Sequence, residues 1–292
     1  MLRAGMSKLA ALLILAVCAA LPSARAAADP IPAGSGQQTA TIDGTALRLF
    51  TYRPAGCAPS ALLVVFHGLH RNASGYRDYA IPVAKKLCLL VVAPLFDEGR
   101  FPSWSYQRGG IVRGGKVQPA GSRTVDIVPR LVAWVRAAQE TPSLPYSLIG
   151  FSAGAQFLSR VAAFIPTEAT RIVIADPSTW VEPRLDTPAP YGFGPPYPSP
   201  EGEAALRRYL ALPITVIVGG ADIGAKNLAE SDEAQDQGPT RLARGQNAFQ
   251  QAEQTARQHG WPFTWKMAVV PGVAHSAPKV LASDQVLTAL RP

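Results

Sequence analysis

The chain has 292 residues, 48% of them hydrophobic and 16% charged, with a formal net charge of +8. This composition excludes a disordered or fibrous chain and suits one sizeable core in a single α/β-type domain. The basic residues are scattered, with no Lys/Arg block and no alternation with aromatics, which speaks for solubility and against a nucleic-acid partner.

The first 26 residues read as a secretory signal. Arg3 and Lys8 precede an uncharged apolar run from residue 9 to 21, and Ala24-Arg25-Ala26 puts small residues where a signal peptidase reads them. Cleavage is expected after Ala26 or Ala28. The run is too short to favour a membrane span, and Val17 before Cys18 fits a lipidation signal poorly. The expected organisation is therefore a signal peptide at 1–26 and one domain at 27–292, periplasmic or secreted, without stable membrane insertion. Losing Arg3, Lys8 and Arg25 leaves 25 Lys and Arg against 20 Asp and Glu, a net of +5.

Residues 27–38 read as a loose leader. Residues 39–43 and 46–52 alternate apolar and polar around Asp43-Gly44, a hairpin by its turn chemistry. ALLVVF at 61–66 and LLVVA at 89–93 are short continuous apolar runs, as expected of strands buried on both faces, with a helical pattern over 74–87 between them. Cys57 and Cys88 each stand just before one of these strands. If the strands are parallel neighbours, the cysteines share one end of the sheet, and an oxidising compartment pairs them. Residues 94–121 are a long loop. Ser122 is expected to cap a helix over 123–138, with Pro129 implying a kink or a late start. A strand over 146–149 runs into a helix reaching about Ile165. Strands come next at 171–175 and 213–218, separated by an excursion with eight prolines. A helix over 241–259, a strand over 263–270 and a helix over 276–290 complete the chain.

Strands thus alternate with helices, which predicts a mostly parallel sheet covered on both faces, with ligands at the C-terminal ends of the strands. The residues just past each strand are then the informative ones. Gly150-Phe151-Ser152-Ala153-Gly154 is G-x-S-x-G at a strand-to-helix junction, the context that lifts a serine hydroxyl clear of a sheet. Alone, the pentapeptide recurs by chance in roughly one chain in ten of this length. His67-Gly68-Leu69 comes after the 61–66 strand, where Leu69 and Ala153 can supply two N–H donors to a developing oxyanion. Gly219-Gly220-Ala221-Asp222 comes after the 213–218 strand, and Asp176 after the 171–175 strand. Either aspartate could orient a histidine, with Asp222 the better placed. Of four histidines, His67 and His70 belong to the first loop and His259 to a helix end. His275 stands between the last strand and the last helix, where a general base is needed.

HGLHRNASGY at 67–76, GFSAG at 150–154, GGAD at 219–222 and PGVAHS at 271–276 together resemble the α/β-hydrolase superfamily, in its secreted esterase and polyhydroxybutyrate-depolymerase-like branch. The resemblance spans nearly all of the mature chain. It implies an α/β-hydrolase fold, with Ser152 as nucleophile, Asp222 as acid, His275 as base, and Leu69 and Ala153 at the oxyanion. The reaction implied is hydrolysis of a small or oligomeric ester, with amide cleavage and a non-catalytic binding protein of the same fold as alternatives. The substrate is expected to meet His67, Gly68, Trp104, Tyr106 and Trp180. No nucleotide, flavin or metal site is read from the sequence, and oligomeric state is not legible in it.

Overall fold

The computed structural model describes Met1 and residues 29–291, so the predicted signal segment lies outside the described residues apart from Met1. An antiparallel pair opens the sheet, β1 (Gly34–Ile42) and β2 (Thr45–Arg53), joined at Asp43-Gly44 with both residues at positive φ, as a tight hairpin turn requires. The pair begins earlier than expected. Residues 34–38, read as leader, ladder against 49–53, and their polar side chains are tolerated because β1 is an edge strand.

The chain continues with β3 (Ala61–Phe66), α1 (Ala73–Leu87) and β4 (Leu89–Pro94). Next come the small hairpin β5 (Val112–Arg113) and β6 (Lys116–Val117), then α2 (Ile127–Ala138), β7 (Tyr146–Phe151), α3 (Ala153–Phe164) and β8 (Arg171–Ala175). The C-terminal part holds α4 (Glu201–Leu210), β9 (Ile214–Gly219), α5 (Asp232–Gln235), α6 (Arg241–His259), β10 (Lys266–Val270), α7 (Ala277–Leu281) and α8 (Asp284–Leu290). Eight strands form one sheet in the order β1-β2-β4-β3-β7-β8-β9-β10. Pairing is antiparallel across β1, β2 and β4 and parallel throughout the rest. All six parallel strands therefore end at one rim.

Alternate residues of each central strand feed two cores. Leu62, Val64 and Phe66 of β3 pack with α2, α3, α4 and α6 on one face, while Leu63 and Val65 pack with α1, α7 and α8 on the other. This double burial is why the strands read as unbroken apolar runs. Among the described residues no helix is long and apolar enough to cross a membrane. Cys57 and Cys88 are disulfide-bonded, with Cα atoms 6.3 Å apart, at the rim opposite the strand C-termini.

Four further boundaries differ from expectation. Ser122 does not cap α2, since its hydroxyl donates to Pro119 O. The Asp126 carboxylate takes the Gly121 and Arg123 N–H groups instead, and the helix starts late enough that Pro129 falls in its first turn, where a missing N–H costs nothing. The proline-rich excursion contains α4, whose acids Glu201 and Glu203 sit in the first turn and Arg207 and Arg208 in the last, each favouring the helix dipole. The final helix is two, because the Ser283 hydroxyl accepts from Val286 N and restarts it. β10 is shorter than read, since residues 263–265 leave the ladder.

Candidate active site

Ser152 sits between β7 and α3 with φ 57° and ψ −118°, a region that non-glycine residues avoid. The flanking glycines explain why the turn can exist. A Cβ on Gly150 would lie 2.6 Å from the Gly154 carbonyl carbon, and one on Gly154 would lie 2.5 Å from the Phe66 carbonyl carbon and 2.7 Å from His67 O. The turn is tied to the sheet by Ser152 N–H donating to Ala175 O at 3.0 Å.

The loop after β3 is held from behind. His67 is fully buried. Its Nε2 accepts from Phe96 N–H at 3.1 Å, so Nδ1 carries the hydrogen and donates to Gly68 O at 3.0 Å. Burial pushes the imidazole down to a pKa of about 4, which keeps this tautomer neutral. Arg71 N–H also donates to Gly68 O, at 3.2 Å, and the Tyr106 hydroxyl donates to His67 O at 2.7 Å. In a trans peptide C=O and N–H point oppositely, so fixing Gly68 O away from the cleft turns the Leu69 N–H the other way. Ala153 N–H is the first of α3 and has no intrahelical acceptor. Both residues line the cleft beside Ser152.

Asp222 closes a tight turn after β9, its N–H donating to Gly219 O at 3.0 Å, and is 1% exposed. His275 comes after β10. Its Nδ1 lies 2.6 Å from Asp222 Oδ2 and its Nε2 lies 2.9 Å from Ser152 Oγ, with the ring against Phe151 at 4.6 Å between centroids. A carboxylate can only accept, so Nδ1 carries the hydrogen and Nε2 is free to take the serine proton. The histidine's partner is Asp222 and not Asp176, which lies fully buried behind it.

These side chains open into a cleft of about 600 Å³. Of the residues expected to meet substrate, Gly68 lines it and His67, Trp104, Tyr106 and Trp180 do not. His67 and Tyr106 are fully buried and brace the loop. Trp104 lies under the Arg113 guanidinium. Trp180 is 0% exposed, its backbone N–H held by Gln237 Oε1. The walls are instead built by Tyr76, Tyr79, Gln107, Gln156, Phe151 and Ile223. Tyr76 and Tyr79 sit three apart in a helix directly after the His67-Gly68-Leu69 loop, a signal the sequence offered. The two glutamines carried none.

No family model and no curated protein matches the chain. Solved structures do. LpqC, a poly(3-hydroxybutyrate) depolymerase from Bordetella parapertussis, is 33% identical, over 85% of this chain and 87% of its own, with a TM-score of 0.78. Poly(aspartic acid) hydrolase-1 from Sphingomonas sp. KT-1 is 30% identical, over 88% and 98%, with a TM-score of 0.80. The chain belongs to the α/β serine hydrolases. A dienelactone hydrolase from Anabaena variabilis, 16% identical with a TM-score of 0.50 over 88% of this chain and 92% of its own, shares the fold of this hydrolase and shows no more than that. With the family in place, the cleft of this α/β serine hydrolase lies where its fold puts ligands, over the C-terminal rim of the parallel strands.

Proposed function

We propose that this hydrolase is an exported esterase that cleaves carboxylic esters of small or oligomeric substrates through an acyl-enzyme. The observation that carries the reading is the chain of contacts from Ser152 Oγ through His275 to Asp222, at 2.9 and 2.6 Å. Ser152 Oγ attacks the ester carbonyl carbon as its proton passes to His275 Nε2. The resulting oxyanion takes hydrogen bonds from Leu69 and Ala153 N–H. His275 returns the proton to the leaving alkoxide, and the C–O bond breaks to give acyl-Ser152. Water, deprotonated by the same imidazole, then releases the acid. Asp222 fixes the tautomer and stabilises the imidazolium. Export is supported by the signal-like residues 1–26, with residues 27–292 as a single domain, and by the Cys57–Cys88 disulfide.

A second reading, amide cleavage, is favoured by one observation. The 30%-identical relative bears the name of a hydrolase of poly(aspartic acid), a polymer joined by amide bonds. The test is turnover of short-acyl p-nitrophenyl esters by the mature protein and by Ser152→Ala, then of polyester, poly(aspartic acid) and peptide substrates. Wild type is expected to turn over esters and Ser152→Ala is not. Equal slow rates in both would overturn the catalytic reading and point to a binding protein.

A further inference from the structure

The catalytic cycle leaves one buried acid unused. Asp176 directly follows β8 in left-handed backbone, φ 47°, with its N–H donating to Ile217 O at 3.0 Å and its Oδ1 accepting from Gly219 N–H at 2.9 Å. Those two bonds fix its carboxyl group against the turn that carries Asp222. Gly219 links the two acids, its N–H on Asp176 Oδ1 and its carbonyl accepting from Asp222 N–H, and the remaining oxygens, Asp176 Oδ2 and Asp222 Oδ1, are both buried without a hydrogen-bond partner among the described residues. Two neighbouring ionised carboxyl groups would repel, and leaving both oxygens unsatisfied in the interior is costly. One proton shared across the gap satisfies both.

Charge balance points the same way. The groups facing the pair are His275, bonded to Asp222 Oδ2, and Arg241 of α6, which is 1% exposed with Nη1 3.5 Å from Asp222 Oδ1. Arg241 also serves Gly224 O and Lys226 O, and neighbouring Arg244 is turned to Gly238 O, Ser178 O and Ala229 O. One buried guanidinium thus meets one carboxylate, and a second carboxylate would be an uncompensated buried charge. Burial, together with the Asp222 charge, holds the Asp176 carboxyl well above the usual carboxylate range.

We propose that Asp176 is a positioning residue, a neutral carboxylic acid whose Oδ2–H donates to Asp222 Oδ1 and clamps the carboxylate that orients His275. The inference rests on the proposed catalytic roles of Ser152, His275 and Asp222.

The experiment compares Asp176→Asn and Asp176→Ala with wild type on p-nitrophenyl butyrate across pH, with thermal melting as the folding control. The carboxamide can donate N–H where the acid donated O–H, while its oxygen still accepts from Gly219. Asp176→Asn should therefore keep kcat/KM within about threefold, with the acidic limb of the profile in place. Asp176→Ala should lower kcat about 10- to 100-fold with KM little changed, the loss expected of a hydrogen bond to a charged group. An acidic limb that moves downward in Asp176→Asn would mean that a negative charge had been removed, and would overturn the proposal, as would an alanine variant with full kcat. An infrared difference spectrum of wild type minus Asp176→Asn near neutral pH reads the proton directly. A protonated-carboxyl stretching band should be present, and its absence overturns the clamp. If instead wild type is no faster than Ser152→Ala, the catalytic reading fails while the infrared band still decides the state of Asp176.

Discussion

The packing of Gly154 against the end of β3 gives a prediction whose size can be worked out. In a helix, Gly→Ala ordinarily gains about 1 kcal/mol. Here the added methyl would stand 2.5 Å from the Phe66 carbonyl carbon and 2.7 Å from His67 O, with Phe66 O nearer still. These are backbone atoms in a close-packed interior, so no side chain can swing aside. The start of α3 and the end of β3 must separate by roughly 0.5–1 Å. That overpacking costs about 1–3 kcal/mol and outweighs the helical gain, lowering Tm by a few degrees. The same displacement parts Ala153 N–H from Leu69 N–H, the two groups proposed above to grip one oxygen atom. A misplacement near 1 Å costs about 100-fold in rate. The assay is kcat and KM on a p-nitrophenyl ester, with a melting curve, for Gly154→Ala and for Gly99→Ala, whose methyl would meet nothing closer than Asp97 Oδ1 at 3.7 Å. The expected result is a large fall in kcat for the first and none for the second. A Gly154→Ala protein with raised Tm and unchanged kcat would falsify the packing argument.

Three other perturbations have definite expected outcomes. Tyr106→Phe leaves His67 O without its hydroxyl donor, so kcat should drop about 5- to 30-fold with KM nearly constant, measured by steady-state kinetics. Replacing Cys57 and Cys88 by serine opens a 31-residue loop and should cost roughly 3–4 kcal/mol in urea unfolding, with kcat unchanged because the bridge lies at the far rim. Folded His67 resists protonation down to about pH 4, whereas an unfolded imidazole takes a proton near 6.5, so between these values the unfolded chain binds the extra proton. Stability from neutral His67 is therefore complete above about pH 6.5 and is lost as pH falls toward 4, by up to about 3 kcal/mol. Urea unfolding at pH 7 and pH 4.5 should show wild type losing more stability on acidification than His67→Gln.

The strand ends were readable because a parallel sheet buried on both faces writes its strands as unbroken apolar runs. The residue after each run is then forced onto one rim. Ser152, Asp222 and His275 come together for that reason, though 123 positions separate the serine from the histidine. Side-chain direction is not written that way. His67, Tyr106 and Trp180 have the aromatic character of a pocket wall, and the structure turns all three inward. His67 was ambiguous because an imidazole after a strand can face substrate or backbone, and its partner Phe96 N–H lies 29 residues away. The α4 helix was hidden by prolines 195, 196, 198 and 200, which stop just before it and could not be told from a loop that continued. The break between α7 and α8 depends on one serine hydroxyl choosing a local N–H, a competition that apolar periodicity does not register.

The bracing of the loop after β3 has a consequence for how this enzyme can change. Its rear supports, Phe96 N–H, the Tyr106 hydroxyl and the Arg71 guanidinium on Phe96 O, belong to or anchor on the segment after β4, while the cleft walls come mainly from α1, α3 and the turn after β9. Alterations in the former would tune how fast bonds break, and alterations in the latter would tune which molecules are admitted. On the proposed function, catalytic speed and substrate choice thus draw on largely different stretches of the chain, with Gln107 the wall residue that shares the bracing segment, and each could drift with little drag on the other.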